Sequence, residues 1–478
     1  MNPMSEFAMK DRFPVAITKG HKVLPLTKDV IVFLKEVKDG VDVGQAVDIF
    51  KSINKDADGY KIVNRLIDEV LLIEKKKFLW QSNTFGASLI DEKEQIAVQK
   101  VLSSKKLCRN SNNMLEDLNN MIRSSCSAFE EHLSRLINTR YVIALNSGTS
   151  ALECALKAVG VNSFDDEVIV PCYTYIGTVS AVLNAGGKPV LCDIDDTYSL
   201  SCEYIERYIT KKTKAIICVH LRGKAVGIEG LCLIAKKHNL SLIEDCAQSI
   251  GSMYNRKPVG SFGDIGCFSF HEHKIVSTGE GGAIATNRKD LYDKIRLLCD
   301  ASRVFAYPEL LPGIPGHNHR MTQIQAAIGL VQLGRLEYIK NHLKQLFEVF
   351  EKELSDVKGI KIVKSKDGDI PQSVYLLCKT AELTDKLNSY LQDLGIPTSI
   401  LYKEDEINHN VYVYWPYIME IAGYIEKWEP RDKRLLSLFK PSLNILRKTI
   451  NISLGLKITD SMASDLCKDI KIFIKRYF

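Results

Sequence analysis

The order of apolar and polar positions changes character along the chain. From Ser127 onward, short apolar or β-branched runs recur at 141–145, 167–171, 189–193, 215–220, 241–245 and 265–269, with helical segments between several of them. Runs this short and this apolar, spaced by helices, predict the buried strands of a mostly parallel sheet covered on both faces. After Arg320 the period lengthens, and one long amphipathic helix is predicted from Thr322 to about Leu354. Beyond it come predicted strands near 360–363, 373–379 and 450–454, and helices near 384–394 and 461–477. The pattern is a large α/β domain followed by a small C-terminal α+β domain.

The N-terminal part follows another rule. A strand is predicted at 21–26. Three helical faces follow: Val30, Phe33, Leu34 and Val37; Val43, Ala46, Val47 and Phe50; then Ile62, Leu66, Ile67 and Val70. Asp39-Gly40 and Asp58-Gly59 punctuate them, and 71–75 closes as a strand. This small α+β module is weakly similar to winged-helix and PqqD-like peptide-recognition domains; an oligomerisation or packing extension reads the same. Residues 78–125 form a connector with a predicted helix at 92–102. The expected domains are 15–77, 85–330 and 331–478.

Composition narrows the class. With 45% hydrophobic and 26% charged residues, the chain reads as a globular protein. Its net charge of +6 is spread over 478 residues without a basic stripe, so nucleic acid is not an expected partner. Among 13 cysteines the closest pair, Cys192 and Cys202, is ten positions apart, which leaves no CxxC and points to a reducing cytoplasm. No run approaches the roughly 20 apolar residues of a membrane helix, and none at the N-terminus suits a signal peptide.

Four segments carry candidate chemistry. Asn146-Ser147-Gly148-Thr149-Ser150 follows a strand and opens a helix, where free N–H groups suit a phosphate. An ordinary N-cap uses the same residues. Asp245 ends a strand, where ligands of open α/β sheets bind, and Gln248 lies three residues on. Lys274 sits between the apolar 265–269 run and Gly279–Gly282. A lysine amine becomes a nucleophile when burial or a cationic neighbour lowers its pKa. Tyr175, after the 167–171 run, is placed to stack on a planar ring, although core packing gives the same pattern. His271 and His273 flank Glu272. Alternating residues on a strand face opposite sides, and with no further ligand cluster no metal site is expected.

These segments, with Gly263-Asp264-Ile265-Gly266, His317-Asn318-His319-Arg320-Met321 and Gln325-Ala326-Ala327, resemble the DegT/DnrJ/EryC1/StrS family of sugar aminotransferases over about residues 85–475. The resemblance implies an aspartate aminotransferase-like (fold type I) architecture, pyridoxal 5'-phosphate (PLP) as cofactor, and a homodimer with shared sites. It implies that Gly148, Thr149 and Ser269 hold the phosphate and that Tyr175 stacks on the ring. Asp245 would meet the pyridine nitrogen, Gln248 the ring oxygen, and Lys274 would carry the cofactor as a Schiff base. Asn318 would reach the partner's phosphate. The implied reaction is transamination of a keto-sugar or keto-cyclitol, nucleotide- or carrier-linked in some members, with glutamate or glutamine as donor. Val219-His220-Leu221-Arg222-Gly223 and His409-Asn410-Val411-Tyr412, with Trp415, resemble members acting on keto-octulosonates and amino-cyclitols. His271-Glu272-His273 and His319 depart from the common pattern.

Two other readings compete. Family members that act as sugar dehydratases or lyases generally have histidine in place of the lysine; here Lys274 is present and His273 is one position off. Alternatively the N-terminal module binds a peptide or carrier and delivers a tethered carbonyl substrate.

Overall fold

The computed structural model describes residues 7–10, 13–17 and 23–25, and residues 78–477 apart from 84, 110–123, 303–314, 405, 428 and 430–432. The chain divides into two compact units, residues 1–78 and 79–478. In the first, β1 (Phe7–Lys10), β2 (Phe13–Ile17) and β3 (Val23–Pro25) form an antiparallel sheet in chain order. β3 falls within the expected 21–26 strand, whereas β1 and β2 were not expected. The helices and closing strand expected between 30 and 75 lie outside the described residues.

The second unit is built on a seven-stranded sheet. Its strands are β4 (Tyr141–Leu145), β5 (Glu167–Pro171), β6 (Lys188–Cys192), β7 (Thr213–Val219) and β8 (Ser241–Asp245). A short hairpin, β9 (Met253–Tyr254) with β10 (Lys257–Pro258), precedes β11 (Ile265–Ser269) and β12 (Gly282–Thr286). The order is β4-β12-β11-β8-β7-β5-β6. Neighbours from β11 through β6 run parallel, while β12 is antiparallel to both β11 and β4. β12 was missed because it opens inside the Gly279–Gly282 run, which reads as a loop.

Alternation along β5 explains the layers. Val168 and Val170 enter one apolar cluster with Leu152 and Val182, while Ile169 enters the other with Ile228 and Leu231. Successive side chains of a strand point to opposite faces, so a strand apolar at every position needs cover on both. Helices Gly148–Ala158 and Ile176–Asn184 cover one face and Ile228–His238 the other.

The expected 322–354 helix is two helices, Gln323–Leu333 and Leu336–Leu354. Gly334 weakens the helix there. Arg335 is held by Glu94 Oε2 (2.7 Å) and Asp91 Oδ1 (2.8 Å), carboxylates at the start of helix Glu92–Ser104. The smaller sheet comprises β13 (Ile360–Ile362), β14 (Ser373–Cys378), β15 (Thr398–Ile400) and β16 (Thr449–Ser453), antiparallel in the order β13-β14-β16-β15. All thirteen cysteines are free thiols. Among the described residues no helix is long and apolar enough to cross a membrane.

Candidate active site

The predicted residues converge on the carboxyl edge of the large sheet, where parallel strands of open α/β folds present their ligand crevice. β4 ends at Leu145 and hands over to helix Gly148–Ala158. Ser147 caps that helix by accepting the Ser150 N–H at 3.0 Å. Its cap leaves the first-turn N–H groups of Gly148 and Thr149 without an intrahelical acceptor, as at any helix start. Gly148 is packed so closely that a Cβ there would lie 2.7 Å from the Cβ of Ser269, so the helix start and the end of β11 share one wall. Thr149 and the Tyr175 ring are likewise neighbours, both lying about a van der Waals contact from Gly177. Tyr175 is 54% exposed, which leaves its ring face available at the crevice.

Asp245, at the end of β8, is buried. Its Oδ2 accepts from Thr178 Oγ1 at 2.8 Å and its Oδ1 from the Ala247 N–H at 3.1 Å. Thr174 Oγ1 lies 2.9 Å from Thr178 Oγ1, extending the chain of hydroxyls. Burial pushes the Asp245 carboxyl above its ordinary range, opposed by these hydrogen bonds and by the charge of Lys274. Thr178 was not foreseen, because only the fold brings it to a residue 67 positions away.

Lys274 lies in a turn between β11 and β12, its N–H bonded to the His271 carbonyl at 2.9 Å. The ends of this loop are pinned, since the Phe270 N–H donates to the Gly281 carbonyl at 2.8 Å. The Lys274 amine makes no hydrogen bond or ion pair among the described residues. Burial lowers its pKa, Asp245 opposes that shift, and Arg222 reinforces it. The 271–274 stretch is a turn and not a strand, so the opposite-face argument about the two histidines fails. Their rings sit edge-to-face with centroids 5.2 Å apart.

Gln248 Oε1 accepts from the Arg222 N–H at 3.1 Å. Asn318 is exposed and bridges to Asp300 on the segment that returns to β4. The fold thus brings Gly148 against Ser269, Thr149 near Tyr175, and Lys274 within reach of the Asp245 charge, while Asn318 lies on the surface.

Behind Asp245 lies a buried pair. His220 Nδ1 accepts from the Val226 N–H at 3.1 Å, so its proton is on Nε2, which donates to Glu244 Oε2 at 3.0 Å. Glu244 also accepts from the N–H groups of Gly260 (2.8 Å), Phe262 and Gly263 (both 2.7 Å). Burial alone would raise the Glu244 pKa; the His220 bond and these backbone donors outweigh it and hold it low. Cys246 lies beside the pair, close enough for the three to suggest a metal cluster. Burial drives the Cys246 thiol well up, and His220 and Glu244 are already satisfied by each other and by the backbone.

A buried acid at a strand end, a lysine with an unpartnered amine beside it and a helix start walled by a serine define a site for a phosphate-bearing, ring-containing cofactor. Residues 95–416 match the DegT/DnrJ/EryC1/StrS aminotransferase family, and the chain belongs to it. It is a PLP-dependent aminotransferase of fold type I. A GDP-perosamine synthase of Escherichia coli O157:H7 is 38% identical over 271 residues, 56% of this chain and 74% of that protein. One from Caulobacter vibrioides is 44% identical over 214 residues, 44% of this chain and about half (56%) of that protein. The solved aminotransferase of Psychrobacter cryohalolentis superposes with a TM-score of 0.67 at 27% identity, covering 81% of this chain and 98% of that one.

Proposed function

We propose that this chain transfers an amino group from glutamate or glutamine to the ketone of a sugar or cyclitol. The observation that carries the reading is Lys274: a half-buried amine with no side-chain partner among the described residues, placed near a buried carboxylate at the carboxyl edge of the sheet. The sugar class is supported by the names of relatives, which include GDP-perosamine synthases and an aminotransferase of UDP-N-acetyl-3-dehydro-glucosamine.

Bound PLP supplies an electron sink that stabilises negative charge on the donor's α-carbon. The protein residues divide the remaining work. Gly148 and Thr149 offer N–H groups, and Ser269 a hydroxyl, to the phosphate. Tyr175 lies against the ring face. Asp245 is assigned to the ring nitrogen, its two oxygens oriented by the Thr178 hydroxyl and the Ala247 N–H, each keeping a lone pair for a further donor. Burial raises the Asp245 pKa, and a protonated ring nitrogen beside it would oppose that shift. Lys274, its pKa lowered, is present more often as free base at neutral pH than an exposed lysine. Its Nζ takes the donor's α-proton and returns a proton on the other side of the transfer. Asn318 completes the site of a second copy in a homodimer, which suits its exposure.

The test is an absorption titration of PLP-loaded protein with L-glutamate, then L-glutamine. Loss of the visible cofactor band, and its return with a keto-sugar, is the expected result. A band that ignores both donors would end the reading.

A further inference from the structure

The turn after β7 contains a residue that the expected site set leaves out. Arg222 sits at φ 53°, ψ 35°, in the left-handed region that non-glycine residues rarely adopt. Its neighbours hold it there. Its N–H donates to Gln248 Oε1 at 3.1 Å, and its carbonyl accepts from the Gln372 N–H at 3.2 Å. Gln372 Nε2 in turn donates to the Gln248 carbonyl at 2.5 Å. Gly223 follows at φ 77°, its own carbonyl accepting from the Ile370 N–H at 2.9 Å. Any Cβ at Gly223 would collide with the Ile370 carbonyl, so the turn is pressed against the small-domain segment.

Two consequences follow. With Gln248 Oε1 engaged by an N–H, the side-chain atom left to meet a ligand is Nε2, a donor. The Arg222 side chain leaves from a fixed backbone, is half-buried, and makes no hydrogen bond or ion pair among the described residues. Its charge reaches Lys274 and works against protonation there. A half-buried guanidinium without a hydrogen-bonded acceptor is costly until an anion joins it.

We propose that Arg222 receives the carboxylate of the amino donor as a bidentate pair, next to the position assigned to the ring oxygen at Gln248. The inference rests on the functional reading above. Chemistry selects the anion. The cofactor's phosphate is assigned to Gly148, Thr149 and Ser269, and the charged groups an acceptor would bring, a nucleotide diphosphate or an octulosonate carboxylate, are not attached to the carbon that bears the ketone. The donor's nitrogen must reach the cofactor carbon adjacent to the ring oxygen, and its carboxylate is attached to the very carbon that bears that nitrogen. That places the carboxylate beside Gln248, where the guanidinium fork matches its two oxygens.

The experiment measures binding without turnover. PLP-loaded wild-type, Arg222→Gly and Arg222→Lys proteins are titrated calorimetrically with α-methyl-L-glutamate and with 4-amino-4-methylpentanoate; neither has an α-proton, and the second keeps the distal carboxylate but has a methyl group in place of the α-carboxylate. Glycine accepts the left-handed backbone, so the turn is retained. The expected result is about a hundredfold weaker α-methyl-L-glutamate binding in the glycine variant and about tenfold in the lysine variant. Affinity for 4-amino-4-methylpentanoate and the cofactor band of the ligand-free protein stay unchanged. Wild-type affinity for α-methyl-L-glutamate in the glycine variant overturns the proposal, as does loss of PLP itself. Wild-type protein that takes up PLP but binds neither compound fails the functional reading instead.

Discussion

Two lysines of the large unit are withdrawn from water, and they have been treated differently. Lys224 donates to the carbonyls of Val363 (2.9 Å) and Lys364 (3.2 Å) and lies 5.7 and 5.8 Å from the ring centres of Phe347 and Tyr375. Burial brings its pKa down to about 8, with Asp369 and Glu351 pulling the other way. Lys274 is lowered by the same cause, but its amine has no hydrogen-bond acceptor among the described residues. Burial alone therefore does not mark a reactive lysine. What distinguishes Lys274 is that its hydrogen-bonding capacity is unspent and its nearest counter-charge, Asp245, is committed to Thr178 and Ala247. Lys224 is a tie between the two domains; Lys274 is a group kept available.

The sharpest break of that comparison is Lys274→Ala, expected to lower turnover by more than about 10⁴-fold, measured as single-turnover loss of donor. Lys224→Ala, assayed alongside, is expected to stay within about tenfold of wild type; equal losses in both would erase the distinction. Next comes Asp245→Asn, expected to cost about 10³-fold in rate while leaving the fold intact. Near wild-type rates would remove Asp245 from the ring nitrogen. The smallest effect is in stability. The folded pKa of Lys224, about 8, lies below the ordinary lysine value of 10.5, so the unfolded chain binds more protons between those limits. Raising the pH through that window therefore stabilises the folded state, by about 2 kcal/mol after allowance for solvent screening. Urea unfolding of wild type against Lys224→Met checks it: the curves should diverge from pH 8 upward, and parallel curves would refute it.

Local sequence carried more of this site than of its surroundings. Lys274, Asp245, Gln248 and Gly148 were legible because each sits at the end of an apolar run, beside a turn or helix start with its own signature. β12 was not, since it opens inside a glycine run that reads as a loop. The helix break at Gly334 was hidden because apolar periodicity continues on both sides of it. The roles of Thr178 and Gln372, and the partner of Arg222, were hidden for a different reason. They lie in hydrogen bonds to residues 67, 124 and 26 positions away, and no window along the chain contains both partners.

The pinned loop between β11 and β12 has a consequence for the order of folding. Its strands are antiparallel neighbours joined by twelve residues, so their pairing closes only a short loop. The parallel pairs β5–β7 and β7–β8 must wait for crossovers, which slow a fold dominated by distant contacts. The loop bearing Lys274 is therefore expected to take shape before the crevice that it serves. Pulse-labelled hydrogen exchange would report amides of Phe268 and Ala283 protected ahead of those of Ile216 and Ile243, and the reverse order would contradict it. On this account the chain builds its reactive arm first and encloses it afterwards.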